Sequence, residues 1–340
     1  MDFLTDHQTY ITRLKSSLSK ISDLDLALKR LTYIRWKVAE NLDKLLFEFE
    51  TNVKKTDSGI LWCPDAKSSL DNLNKHIRSY EKVKFFNHTA VKQFVNEVDI
   101  AVPEAKDQAD VVVIGAKFIM ANTGNFYTAL NDFSEYETII NAKKIIVIAG
   151  IDSVLASQVE LPLAKQLYAT FETGNLSYQA EFISRPGRPR GLNCEIVLLL
   201  TDNNKSKLLE IPTHRHLFSL LNFELPAVCP MQQLSYEPGN WKKLDTLSYV
   251  FYGFMHGIQD FPQNINGNYG LNLISQYLPY DIDLYDQIMD ARSLFHLEDK
   301  KTRFSALFDS DKSSIVFHPK KFKDAEKFRK YAEHNFFGKL

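Results

Sequence analysis

Three short stretches hold the side chains best suited to chemistry. In the first, Gly115, Ala116 and Lys117 follow an apolar run, and Asn122, Thr123 and Gly124 come a few residues later. Open α/β sheets bind ligands at the carboxyl ends of their strands, where free backbone N–H groups face anions. Gly115 would let the backbone approach a ligand closely, and Gly124 would permit a turn with positive φ. Lys117 would bind a carboxylate or phosphate, or simply be exposed. In the second stretch, Arg185, Arg188 and Arg190 alternate with Pro and Gly, and this brings three guanidinium groups together on a stiff loop. That is a candidate anion clamp, with a solvated loop as the competing reading. The third stretch, with Asp202, Asn203, Lys205 and Ser206, follows another apolar run and so sits at a strand end. None of these residues is assigned a catalytic role.

Other polar groups carry less. The hydroxyls of Thr173, Ser177 and Tyr178 would orient a ligand or cap a helix after Gly174. His214 and His216 stand two apart on a helix and point in different directions. With no carboxylate or cysteine at a supporting spacing, no metal site is expected there. No G-x-S-x-G elbow, Walker loop or G-x-G-x-x-G fingerprint is present, which argues against serine hydrolases, P-loop NTPases and dinucleotide enzymes.

The elements that must position these groups alternate between strand and helix. Residues 1–55 read as a helical segment. Leu24, Leu28, Leu31, Ile34, Val38, Leu42 and Leu46 recur at helical steps, with Ser22 or Asp23 as the cap. Strands are expected at 60–62, 82–86, 110–114, 126–130, 144–148 and 195–200. Helices are expected from Asp65 to about residue 80, at 89–97 and at 158–170. Unbroken apolar strands between helices argue for a largely parallel sheet covered on both faces. Residues 56–210 form this α/β domain. Residues 211–340 read as mostly helical, with a helix at 213–223, Gly- and Asn-rich loops at 263–270 and a final amphipathic helix near 320–334.

Composition limits the function classes. The 340 residues carry a net charge of −1, so nothing attracts nucleic acid or an acidic membrane at long range. The apolar runs are far short of a membrane span, and the N-terminus lacks the apolar core of a signal peptide. Three scattered cysteines, Cys63, Cys194 and Cys229, suggest a reducing compartment, and the expectation is a cytoplasmic protein. Three thiolates cannot hold a four-cysteine cluster, so no cofactor is expected.

The phrases ADVVVIGAKFIMANTG, FETGNLSYQAEFISRPGRP and CEIVLLLTDNNKSK resemble the LUD domain of the lactate-utilisation proteins, in the LutB branch. The resemblance implies a three-layer α/β/α fold of the NagB/RpiA/CoA-transferase type. It implies one short helix between Gly115 and Gly124, and it places an acidic residue where Asn122 stands and an Asn where Lys117 stands. In the family an Arg and a His also precede the strand at 144–148, and residues 136–148 here have neither. The iron–sulfur run C-x2-C-x2-C-x3-C-P corresponds to SLLNFELPAVCP, which leaves Ser219, Asn222 and Leu225 in place of three cysteines and keeps Cys229.

LutB-type proteins act with LutA- and LutC-like partners in oxidising L-lactate to pyruvate. This chain is therefore expected to bind a small anionic metabolite, or to serve as a non-redox subunit, without clusters of its own. The rival readings are a CoA-transferase- or sugar-phosphate-isomerase-like enzyme, with Glu104, Asp107, Glu181 or Asp202 as its carboxylate, and an interaction scaffold built on residues 211–340.

Overall fold

The computed structural model describes residues 3–55, 59–86, 88, 90–91, 109–189, 191, 193–203, 205–209, 215–224, 226, 234–235, 277–280 and 316–317. Contacts divide the chain into two units. One comprises residues 33–165 and 177–210, and the other residues 1–32, 166–176 and 211–340.

The first unit is built on a five-stranded parallel sheet. Its strands are β1 (Ile60–Cys63), β2 (Val83–Phe85), β3 (Val111–Gly115), β6 (Lys144–Gly150) and β9 (Glu195–Thr201), in the order β1-β9-β6-β3-β2. Val, Ile and Leu fill β3, β6 and β9 because both faces of these strands are covered, so neither face needs polar residues. On one face Val111, Val113, Ile146, Ile148, Val197 and Leu199 pack against Leu73 and Ile77 of α4 (Ala66–Ile77). Each of those two helix residues, buried four apart on one stripe, contributes about 1.5–3 kcal/mol. Helix α4 starts where it does because the Asp65 carboxylate accepts from the Ser68 backbone N–H at 2.7 Å. The architecture is the α/β class read from the alternation of strands and helices.

A second, mixed sheet comes from a segment expected to be simpler. Residues 118–120 form β4 (Phe118–Met120), not a short helix, and β4 pairs antiparallel with β5 (Asn125–Leu130) in a hairpin. With β7 (Val154–Leu155) and β8 (Ala180–Ser184) they form a sheet of order β7-β4-β5-β8. Gly124 turns the hairpin at φ +70, as its position suggested, and a Cβ there would meet the Val53 backbone at 3.0 Å. Helix α5 (Phe133–Asn141), capped by Asp132, fills the connection from β5 to β6.

The long helix expected from residue 24 is two helices, α2 (Leu24–Glu40) and α3 (Leu42–Lys54), preceded by α1 (Phe3–Leu18). Asn41 breaks it: its side-chain amide donates to the Lys37 carbonyl at 2.9 Å and its backbone leaves the helical region. Asp23 caps α2 from a left-handed conformation at φ 51, its carboxylate accepting from Leu26 N–H.

In the other unit, Gly174 ends α6 (Leu161–Thr173) at φ +79, its N–H donating to Thr170 O. The expectation that Gly174 precedes a helix is therefore wrong: β8 comes next. Tyr10 and Ser17 of α1 donate to Phe171 O and Gly174 O. The helix expected at 213–223 appears as α7 (Arg215–Leu220), with Leu217, Phe218 and Leu220 buried. Tyr280 donates to the Ser219 carbonyl at 3.0 Å and hydrogen-bonds the Tyr168 hydroxyl, and Tyr277 stacks on Tyr10. Strands β10 (Leu234–Ser235) and β11 (Val316–Phe317) pair antiparallel. The expected helix at 320–334, the loops at 263–270, most of the expected helix at 89–97, and Cys229 lie outside the described residues. No described helix is long and apolar enough to cross a membrane.

Candidate functional site

Strand register puts a row of polar groups on one face of the sheet's carboxyl rim. Side chains alternate along a strand, so Gly115 continues the face of Val111 and Val113, and Gly150 that of Ile146 and Ile148. Gly115 pairs with Ile148 and Gly150 with Thr201. Gly115, Gly150 and Thr201 therefore end three adjacent strands on the α4 face. The two glycine Cα atoms are separated by one strand spacing and two residues of rise, about 8 Å.

Each glycine leaves room for an ionisable side chain. A Cβ on Gly115 would fall 1.9 Å from His88 Nδ1, so the imidazole lies directly over the end of β3. Ala90 N–H donates to that Nδ1 at 3.1 Å, which places the ring proton on Nε2. A Cβ on Gly150 would fall 2.0 Å from Asp152 Oδ1 and 2.4 Å from Lys205 Nζ. Gly150 has φ −79 and ψ 150, a conformation open to any residue, so it is glycine for space alone. Lys205 and Asp152 form an ion pair of 2.5 Å, with their side chains 14% and 2% exposed.

The parts holding this pair come from three places. Asp152 sits on the short 3-10 turn Ile151–Ser153. Arg35 of α2, 1% exposed, donates to the backbone carbonyls of Asp152 and Val154, and so fixes the turn from behind. Lys205 opens the turn Lys205–Leu209. Asp202 shapes that turn, its carboxylate accepting from Ser206 N–H at 2.8 Å and Ser206 Oγ at 2.5 Å. Asn203, at φ 54, donates its N–H to Pro64 O.

The candidate residues divide into two groups. Gly115, Ala116, Asp202 and Asn203 stand at the carboxyl rim, with Asp202 and Asn203 building the turn that presents Lys205. Lys117 is 2% exposed and its N–H donates to Tyr127 O. Asn122, Thr123 and Gly124 form the hairpin turn. Since Thr128 donates to Gly115 O, that turn begins three residues along β5, about 10 Å away. There the exposed Asn122 side chain donates to Ser157 Oγ and accepts from Gln158 N–H, each at 3.0 Å. Arg185 donates to Thr123 O at 2.5 Å and fastens the same turn, while Arg188 is exposed. Residues 115–124 therefore do not converge as one ligand loop, because the short helix that would fold them together is a hairpin.

Residues 136–143, where the family's Arg and His are missing, lie in α5 and its exit and lead into the amino end of β6, opposite the rim. At that end Lys144 Nζ donates to His76 Nδ1 at 3.0 Å. Burial, reinforced by the Lys144 charge, holds the His76 pKa below its ordinary value. Among the other carboxylates considered, Glu181 pairs with Lys165 at 2.6 Å on β8. Glu104 and Asp107 lie outside the described residues, as does His214.

Among the described residues, neither a free thiol nor the α4 N-terminus competes for the chemistry. Burial raises the pKa of Cys63, at the end of β1, and of Cys194, so both thiols stay protonated. The N-terminus of α4 is occupied by its own Asp65. Among the described residues no group of three or more His, Cys, Asp or Glu gathers to hold a metal.

No family model matches the chain, and no curated protein matches it. Among solved structures, a DUF162 family protein from Deinococcus radiodurans is similar at 14% identity and a TM-score of 0.37, over 47% of this chain and 98% of that one.

His88, Gly150, Asp152 and Arg35 were missed from sequence. The signal that could have found His88 and Asp152 is position: both follow a strand of the parallel sheet by two or three residues.

Proposed function

We propose that the chain binds a small anionic metabolite at the carboxyl rim of its parallel sheet. One observation carries this reading: the Lys205 ammonium is set over Gly150, where the sheet's central strand ends in a residue without a side chain. A cation held there by a capped turn is the group that an incoming carboxylate or phosphate would pair with, in exchange for Asp152. The LUD phrases add the family context, a cluster-free relative of the lactate-utilisation proteins working beside LutA- or LutC-like partners. In that setting 2-hydroxy and 2-oxo acids are the first ligands to try.

The second reading is an enzyme of the CoA-transferase or sugar-phosphate-isomerase kind. The buried Asp152 carboxylate favours it, because a carboxylate paired with a cation can move protons. A thermal-shift screen of 2-hydroxy and 2-oxo acids, sugar phosphates and CoA esters tests both. A hit whose product appears on incubation supports the enzyme, and a hit recovered unchanged supports binding alone. If no class shifts the melting temperature, the anion-site reading fails.

A further inference from the structure

The Asp152–Lys205 pair sets a condition on whatever anion binds beside it, and this inference rests on the anion-site reading above. Paired, the two side chains cancel, and a small anion gains little by approaching them. To hold the anion, Lys205 must turn its ammonium away from Asp152. The two partners are unequal in freedom. Asp152 is fixed, because Arg35 grips the carbonyls of Asp152 and Val154 and Ser153 Oγ donates to Gly150 O at 2.6 Å. Lys205 is the more exposed partner, on a flexible four-carbon chain. When the lysine moves, a carboxylate is left buried without its counter-charge, a state that low-dielectric surroundings strongly disfavour. Protonation relieves it. Among the described residues the charged groups that touch the Asp152 turn are Lys205 and, through the backbone, Arg35 from α2, while His88 stands over Gly115 at the neighbouring strand end.

The geometry points to Asp152 as an internal counter-ion that the ligand displaces, and that takes up one proton as the anion binds. The balance is simple. An anion and a proton enter, the Asp152–Lys205 hydrogen bond is exchanged for an anion–Lys205 bond, and Asp152 becomes a neutral carboxylic acid. No covalent bond other than the new O–H forms. The site thus selects small monoanions such as monocarboxylates, where one charge replaces one, over bulky polyanions.

The test is a titration of the full chain with acetate, and separately with sulfate, in unbuffered solution held at pH 6.5 by a pH-stat. Neither anion titrates near that pH. The expected result is uptake approaching one proton per anion bound by the wild-type chain. Asp152→Asn takes up none and binds acetate at least tenfold more tightly. The double variant Asp152→Asn/Lys205→Met loses the binding. Binding without proton uptake in the wild type overturns the proposal, whatever the variants do. Unchanged or weaker binding by folded Asp152→Asn, with its fold checked by circular dichroism, overturns it too. If neither the wild type nor Asp152→Asn binds either anion, the anion site itself is wrong and this inference falls with it.

Discussion

Lowering the pH through the histidine range should remove stability, and His7 contributes a defined share of the loss. His7 is 2% exposed, with its Nε2 3.0 Å from the Tyr277 hydroxyl. Burial pushes its pKa from 6.5 down to about 4. An unfolded chain protonates this residue below pH 6.5, whereas the folded chain resists until about pH 4. Its contribution is therefore fully present above pH 6.5, falls as pH drops, and is gone below pH 4. Each pH unit across that window costs about 1.4 kcal/mol, so the loss is about 2 kcal/mol at pH 5 and about 3.4 kcal/mol in all. The assay is urea unfolding of wild type and His7→Gln by circular dichroism at pH 7.5, 6 and 5. Wild type should lose about 2 kcal/mol more than the variant between pH 7.5 and 5. A difference that stays within about 0.5 kcal/mol would show that His7 is not held neutral, and with it that the 277–280 segment does not bury it.

Further outcomes follow from single contacts. Gly150→Ala needs no change of backbone, yet its methyl would overlap Asp152 Oδ1 and Lys205 Nζ. It should cost about 2–4 kcal/mol in urea unfolding by separating a buried pair, and a loss under about 0.5 kcal/mol would mean the pair moves aside freely. Asn122→Ala removes two hydrogen bonds at the hairpin turn and should cost about 1 kcal/mol while leaving anion affinity unchanged. A large affinity loss would put the ligand at the turn instead. Protein purified without added metal should be colourless and carry no stoichiometric iron, read by absorbance and metal analysis.

How much could be read from the sequence depended on how local the cause was. The runs at 111–114 and 144–148 were legible because strands buried on both faces have no polar positions. The turn at Gly124 was legible because its φ demands glycine. Strand β4 was not, since Phe118-Ile119-Met120 is too short to show a period and is fixed by pairing with β5 and β7. The break at Asn41 was hidden because the apolar spacing continues through it into Leu42 and Leu46. At the site, Asp202 and Asn203 were visible as polar residues after an apolar run. Asp152 was not, because its role depends on where β6 stops and on a lysine 53 positions later. Arg35 carried no signal in the sequence, because only the folded chain aims it at buried carbonyls. Nothing in the sequence shows that His88, just after β2, lies over Gly115 at the end of the neighbouring strand β3.

The most direct measurement of the central claim is isothermal titration of the best anionic ligand against Asp152→Asn/Lys205→Met. This double variant removes both charges together and leaves no lone ion buried. Binding weakened at least tenfold, with Asn122→Ala unaffected, is the result expected of a ligand site over Gly150. Wild-type affinity in the folded double variant would contradict it.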